Sequence, residues 1–260
     1  MKPFLRWAGS KRKILPELLS RLPKKYNMYF EPFIGSGVLF LAVRPERGVI
    51  SDINPDLINL WAVIRDEPEQ LITALKPLGS CDKQTYYILR KEFNGQADPV
   101  RKAALMMFLN RTGFNGLFRV NSKGEFNVPW DSAKKSIKYD IENILEVSRS
   151  IKNTKIVTAD YASILKQTNA NDFVYIDSPF LETFSNYSGV FSKQNHEELA
   201  KAVKDLNSKG VLFMLSNSAA AAPLYKDFHI DTVKSLRSIS RDVKSRKEYE
   251  EIVVRNYTRS

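Results

Sequence analysis

A length of 260 residues, a hydrophobic content of 43% and a mean hydropathy of −0.32 are typical of one large globular domain, or of one domain that carries an insertion. One cysteine, two histidines and the lack of an apolar run near the roughly 18 residues of a membrane span predict a cytoplasmic, intracellular protein without a disulfide, a metal site or a membrane partner. The formal net charge of +11 favours a polyanion as partner, with nucleic acid first, although a merely soluble basic surface is the alternative.

The predicted elements alternate between helix and strand at both ends of the chain. In chain order the first are a helix near 13–22, a strand near 28–32, a helix after Gly37, a strand near 48–51 and a helix from Asn54 or Pro55. Residues 68–109 look helical throughout. The later elements are strands at 155–158, 173–176, 211–215 and 251–254, a helix near 195–206 and a helical run at 219–222. This order predicts one α/β sheet interrupted by an insertion at roughly 56–145.

A turn with two glycines follows the first predicted strand. Phe33-Ile34-Gly35-Ser36-Gly37 precedes a helix, so its backbone amides and the positive helix end could approach a ligand. The segment lacks the third glycine of a dinucleotide fingerprint and the lysine of a phosphate-binding loop. A different nucleotide-like ligand is therefore favoured, with a plain tight turn as the alternative.

Asp52 ends the next predicted strand, 15 residues beyond Gly37. A carboxylate at this place can hold a ribose hydroxyl pair, because ligands of open α/β sheets bind outside the carboxyl ends of the strands. Its alternative role is to cap the helix at Pro55, which Asn54 could do equally well. The stretch Trp7-Ala8-Gly9 with Lys11 could add an aromatic wall and a cation to the same pocket.

The apolar strand at 173–176 ends on Asp177-Ser178-Pro179-Phe180. All but the last are turn formers, so an ordinary strand-to-loop turn is one interpretation. A carboxylate beside an aromatic ring at a strand end is also a candidate catalytic site.

Residues 110–130 contain the turn signals Asn115-Gly116 and Lys123-Gly124, which predict a hairpin with arms at 117–121 and 125–128. A hairpin fits the major groove, where Arg119 could read a guanine, and Phe114 at a loop tip could wedge into a base stack. The alternative is a surface hairpin whose aromatic side chains pack on the helical insertion. Lysine clusters, Lys134-Lys135 among them, lie beside predicted loops and could reach phosphates.

Five motifs, taken in order, resemble those of the Dam-type DNA adenine N6-methyltransferases, a family that includes phage and restriction-system members. They are RWAGSK, FEPFIGSG, SDIN, NRTGFNGLFRVNSKGEFNVPW and DFVYIDSPF, and they span almost the whole chain. The resemblance implies a Rossmann-like α/β fold that uses S-adenosylmethionine, with a catalytic domain at 1–55 and 146–260. It also implies an inserted helical plus β-hairpin DNA-recognition domain at 56–145.

The implied reaction is methyl transfer to adenine N6 in double-stranded DNA, with base flipping, at a GATC or GAT-containing site. The implied partners are duplex DNA and a cognate restriction endonuclease, and we expect a monomer in solution. The cofactor-binding residues are Trp7, Ala8, Gly9, Lys11, Phe33, Gly35, Ser36, Gly37, Asp52, Asp160, Tyr161 and Asp177. The DNA-binding residues are Arg6, Arg111, Phe114, Asn115, Arg119, Asn121, Lys134 and Lys135. The catalytic residues are Asp177, Ser178, Pro179 and Phe180.

The tetrapeptide departs from the family's usual Asp-Pro-Pro-Tyr. The carboxylate of Asp177 and the carbonyl of Ser178 would still accept the two hydrogens of the adenine amine, and Phe180 would still offer a stacking face. One ring constraint and one phenolic hydroxyl are lost, so we expect an active enzyme that is slower by about tenfold. An inactive DNA-binding relative is the alternative. Methylation of RNA or cytosine is disfavoured, because the hairpin motif is that of duplex-DNA adenine enzymes and cytosine N4 enzymes usually begin the tetrapeptide with serine.

Overall fold

The computed structural model describes residues 1–133, 136–181, 191–236 and 248–258. By its internal contacts the chain divides into two compact units. The first comprises Met1–Ser10, Gly35–Arg44 and Asn54–Thr158, and the second comprises Lys11–Ile34, Pro45–Ile53 and Ala159–Ser260. The predicted insertion at 56–145 falls within the first unit, and its assignment as a recognition domain stays a prediction.

Within the described residues, the second unit contains one mixed sheet of six strands, in the order β2-β1-β4-β5-β7-β6. Strands β1, β2, β4 and β5 are parallel, and β7 runs antiparallel to both of its neighbours, β5 and β6. Their bounds are β1 Tyr29–Glu31, β2 Gly48–Asp52, β4 Phe173–Ile176, β5 Leu212–Ser218, β6 His229–Leu236 and β7 Glu248–Arg255, and β3 of the first unit is Thr154–Thr158. All four residues of β4 are buried, as expected for a central parallel strand covered on both faces.

Helices complete both units. Those of the first unit are α2 Val38–Val43, α3 Pro55–Asp66, α4 Pro68–Leu75, α5 Lys83–Gly95, α6 Pro99–Thr112 and α7 Ile141–Ser150, and those of the second are α1 Leu15–Leu19, α8 Tyr161–Leu165 and α9 Lys193–Ser208. Polar side chains begin the longer ones: Ser192 and Asn195 form a capping box at α9, and Asn54 accepts two backbone N–H bonds at α3. In the described ranges no helix is long and apolar enough to cross a membrane.

The predicted alternation of strands and helices is confirmed, but helices α7 and α8 were not predicted and three further regions differ. The region 68–109 is broken between α4, α5 and α6, where Asp82 and Asp98 start new helices. Residues Ala219–Tyr225 form a 3₁₀ helix that contains Pro223, a residue that removes a backbone donor. Strand β6 was missed, because its polar residues alternate with its apolar ones and give no continuous apolar run.

His196, on α9, lies in the core of the second unit with 0% exposure. It packs edge-on against Phe191 at a ring-centroid distance of 4.8 Å. Among the described residues neither ring nitrogen has a hydrogen-bond partner. Burial lowers the pKa of this imidazole, because a charge there would lose its hydration.

We expect the free energy of unfolding to fall as the pH is lowered, and His196 to cause part of that loss. Its folded pKa is lowered, so below the usual pKa of about 6.5 the unfolded chain takes up a proton that the folded chain resists. One such group contributes at most about 1.4 kcal/mol per pH unit. Denaturant unfolding at pH 7.5 and pH 5.5 should show a smaller loss for His196→Leu than for the parent. The matched control is His229→Leu at an exposed position, and an equal loss in parent and His196→Leu would refute the assignment.

Candidate active site and DNA-recognition surface

Three adjacent parallel strands of the second unit end at candidate functional residues. Strand β1 lies between β2 and β4, and the three run in the same direction, so their carboxyl ends share one edge of the sheet. β2 ends on Asp52, β1 continues into Phe33, and β4 continues into Asp177. The chain order reverses between β1 and β4, and such a switch point is where open α/β sheets bind ligands.

Asp177 is held by two polar side chains of the second unit. The ammonium of Lys11, which is 5% exposed, lies 2.6 Å from its Oδ1, and the hydroxyl of Ser216 donates to the same oxygen at 2.9 Å. Tyr175 lies 2.9 Å from that hydroxyl, and burial, with the charge of Asp177, raises the pKa of Tyr175 well above its usual range. In the described part of the chain, both of these contacts are to Oδ1.

Lys11 also contacts the ring of Phe180, with its ammonium 4.5 Å from the ring centroid. A cation over an aromatic face is attracted by the ring quadrupole, more strongly where water is excluded. One buried lysine therefore fixes both ends of the tetrapeptide, the carboxylate and the aromatic ring.

Side chains of β5 hold Ser178, inside the tetrapeptide, and Leu181, directly after it. Ser178 is 2% exposed, and its hydroxyl accepts a bond from Nδ2 of Asn217 at 3.1 Å. Ser218 donates to the carbonyl of Leu181 at 2.6 Å. Ser216, Asn217 and Ser218 were not among the predicted site residues. The signal that could have identified them is the run of three polar residues at the end of the apolar strand β5.

The remaining cofactor-assigned residues of the second unit are Phe33, Asp52, Asp160 and Tyr161. Phe33 stacks on Tyr161 at 5.4 Å, and Asp160 caps α8 by accepting a bond from Ala162. Ile53, directly after Asp52, is 67% exposed, which is unusual for a large apolar residue at the end of a buried strand. Asn54 performs the capping of α3, so that alternative role for Asp52 is not needed.

The glycine turn and the Trp7 segment belong to the first unit. A Cβ on Gly35, whose φ is +45°, would lie 2.9 Å from Cδ1 of Trp7, so the indole packs where any larger residue would clash. Trp7 also stacks on Phe118, with ring centroids 5.6 Å apart. The absence of a side chain at Gly35 therefore leaves room for the indole of Trp7, whether or not the turn also binds a ligand. Ser36 and Gly37 are buried, whereas Ala8 and Gly9 are exposed.

Asn110 joins Arg6 to the loop at Phe114–Gly116. Its side-chain oxygen accepts from the backbone N–H of Arg6 at 2.9 Å, and its amide donates to the carbonyls of Arg6 and Gly116 at 2.8 Å each. Gly116 has φ +65°, and a Cβ there would lie 2.7 Å from Cδ of Arg6. The motif thus places two DNA-assigned segments, Arg6 and the exposed Phe114-Asn115 tip, beside each other.

The predicted hairpin is present with one isolated bridge between its arms, Val120 to Phe126. On either side of that bridge, the N–H of Asn121 donates to the carbonyl of Glu125 at 2.9 Å, and the N–H of Asn127 donates to the carbonyl of Arg119 at 3.0 Å. Asn94 bonds both the N–H and the carbonyl of Phe126, and Arg90 and Tyr86 donate to the carbonyl of Val128. The second arm is therefore docked on α5 through backbone groups that face away from the first arm.

Arg119 is exposed, and its Nε donates to Oδ1 of Asn127 across the hairpin at 2.7 Å. Asn121 bonds backbone N–H groups of Lys123 and Glu125 and the Glu125 carboxylate, so its side chain shapes the turn. Arg111 donates to the carbonyl of Phe4 at 3.5 Å, inside the fold of this unit. Lys134 and Lys135 lie outside the described residues.

Comparison with known proteins identifies the family. The profile of the D12 class N6 adenine-specific DNA methyltransferases matches residues 7–239. The chain belongs to this family. Among its relatives are Type II methyltransferase M1.LlaDCHI of Lactococcus lactis subsp. cremoris, 39% identical over 99% of this chain and 96% of that one, and Type II methyltransferase M.MjaIII of Methanocaldococcus jannaschii, 36% identical over 99% of both. The DNA adenine methylase of Escherichia coli is 31% identical over 97% of this chain and 94% of that one.

This adenine N6-methyltransferase has to make a poor nucleophile react. The exocyclic amine of adenine delocalises its lone pair into the ring, and acceptors for its hydrogens localise that pair again. In the tetrapeptide, the carboxylate of Asp177 and the hydroxyl of Ser178 are both held by neighbouring side chains. The segment is therefore fixed by side chains of the second unit and is not a loose strand-to-loop turn.

Proposed function

We propose that the methyl donor of this DNA adenine methyltransferase is S-adenosylmethionine, which supplies an activated methyl group on sulfur when bound. The observation that carries the proposal is the register of the sheet, which puts Asp52, Phe33 and Asp177 at the ends of three adjacent parallel strands. Asp52 would accept bonds from the ribose hydroxyls. Asp177 would lie where the methyl group is delivered.

The residues present fit a nucleoside. The acidic Asp52 suits a hydroxyl pair, and the exposed side chain of Ile53 suits the face of a planar base. Phe33, Tyr161 and Phe191 are mutually in contact, with centroids 5.4 to 6.0 Å apart. Asp160 starts α8 beside Tyr161, so both can reach a base edge. The assignments of Trp7, Ala8, Gly9, Gly35, Ser36 and Gly37, in the first unit, remain part of the proposal.

In the proposed reaction, Asp177 accepts one hydrogen of the adenine amine and the carbonyl of Ser178 accepts the other. Phe180 stacks on the flipped base. Lys11 holds the carboxylate in place through its 2.6 Å contact. Each of these residues orients the amine, so catalysis depends on their placement.

The first unit would bind duplex DNA. Arg119 would read a guanine in the major groove, and Phe114 with Asn115 would fill the space left by the flipped base. Arg6, joined to this loop by Asn110, would reach a neighbouring base, and Arg111, Asn121, Lys134 and Lys135 complete the proposed set. We take GATC or a GAT-containing site as the target, in a Type II system with a cognate endonuclease, acting as a monomer in the cytoplasm.

The proposal is tested by binding S-adenosylmethionine to Asp52→Ala in a calorimeter. Loss of a charge-assisted pair to the ribose costs about 1.5 to 3 kcal/mol, a weakening of roughly 10- to 150-fold. The matched control is Asn54→Ala, which removes the cap of α3 and should lower stability by about 1 kcal/mol while affinity stays the same. Parental affinity in Asp52→Ala would refute the assignment.

A further inference from the structure

The tetrapeptide is attached to the neighbouring strand β5 by the side chain of Asn217. Asn217 has 0% exposure, and its Oδ1 accepts from the backbone N–H of Leu181 at 3.0 Å and of Ser218 at 2.9 Å. Because two backbone donors face that atom, the amide's orientation is fixed and Nδ2 faces the other way. Nδ2 donates to the hydroxyl of Ser178 at 3.1 Å, with a longer contact of 3.4 Å to the carbonyl of Pro179.

The hydrogen bonds of Asn217 lie on both sides of the Ser178 carbonyl, which is the proposed acceptor of an adenine amine hydrogen. The carbonyl of Ser178 lies between the Ser178 side chain and the Pro179 carbonyl, and Asn217 contacts both, together with Leu181 two residues further on. A side chain that makes all four of its hydrogen bonds in a buried place is costly to move, because any displacement leaves a donor or acceptor unpaired.

We infer that Asn217 is a positioning residue for methyl transfer, which holds the carbonyl of Ser178 in place of the ring constraint that proline supplies in relatives with Asp-Pro-Pro-Tyr. A proline at this position stiffens the backbone by fixing φ. A serine does not, but its hydroxyl gives Asn217 an acceptor that proline lacks. The expected tenfold slowing from lost stiffness is then offset by this bond. The inference rests on the proposed function of the site.

The test is single-turnover methylation by Ser178→Ala, which removes the hydroxyl at little change in volume. We expect a rate about tenfold below the parent, with the affinities for S-adenosylmethionine and DNA within about twofold. Ser178→Pro should recover most of that rate, because the ring replaces the bond. The matched control, Ser208→Ala on the exposed end of α9, should leave the rate unchanged.

A double-mutant cycle completes the experiment. Asn217→Ala with Ser178→Ala should be about as slow as Asn217→Ala alone, because both remove the same bond. The inference would be overturned if the rate losses of Asn217→Ala and Ser178→Ala multiplied in the double variant. It would also be overturned if Ser178→Ala methylated at the parental rate. If Asn217→Ala does not fold, the comparison of Ser178→Ala with Ser178→Pro decides by itself. The product of the parent is measured first. A parent that forms no N6-methyladenine overturns the proposed function and this inference together. If the parent is active and Ser178→Ala methylates at the same rate, this inference alone is overturned.

Discussion

Asp177→Asn should lower the single-turnover rate of adenine methylation by about a thousandfold, while S-adenosylmethionine and DNA still bind. The substitution keeps the size of the side chain but replaces a carboxylate acceptor with an amide. The amine of adenine then loses the charge that localises its lone pair. Rapid-quench transfer of labelled methyl groups to a duplex oligonucleotide measures the effect.

The control for this experiment comes from Lys11. With Asp177 neutral, the buried Lys11 ammonium loses its 2.6 Å ion pair with that carboxylate, and breaking a buried ion pair from one side costs about 3 to 5 kcal/mol in folded proteins. The double variant Lys11→Met with Asp177→Asn removes both charges, so it should regain thermal stability without regaining activity. Recovery of the methylation rate together with stability would show that Asp177 acts on the fold and not on the amine.

Arg119→Ala should lose discrimination at one base pair by about 1 to 3 kcal/mol, or roughly 5- to 150-fold, because a bidentate arginine–guanine contact distinguishes bases. Asn127 holds the guanidinium across the hairpin, so the side chain is ordered before DNA arrives. Competition binding against duplexes with single-base changes measures the loss. The matched control is Lys123→Ala, an exposed cation on the same hairpin, which should weaken all sequences alike. A uniform loss for Arg119→Ala as well would mean that it contacts phosphate.

The strand ends could be predicted from the sequence because local patterns determine them. An apolar run followed by Asp177, and another followed by Asp52, predict two carboxylates at strand ends, and in the structure these two parallel strands flank β1. The choice of Asn54 as the cap of α3 follows from its place directly before Pro55. The five motifs then supplied the family, and the family comparison confirmed it.

Contacts between distant segments could not be predicted in the same way. Asn217 lies 39 residues from Ser178, and Asn94 lies 32 residues from Phe126. No local period encodes such pairs, since each depends on which elements become neighbours in the folded chain. For that reason the sequence indicated a hairpin and a tetrapeptide that had lost one ring constraint, but not the side chains of α5 and β5 that hold these two segments.

The measurement that tests the central claim most directly is the mapping of modified bases in DNA from cells that express this chain. The parent should produce N6-methyladenine at every copy of one short sequence, and the Asp177→Asn variant should leave the same copies unmodified. A host without its own adenine methylase provides the background. Unmodified adenine in both strains, or methylated cytosine with the parent, would contradict the account.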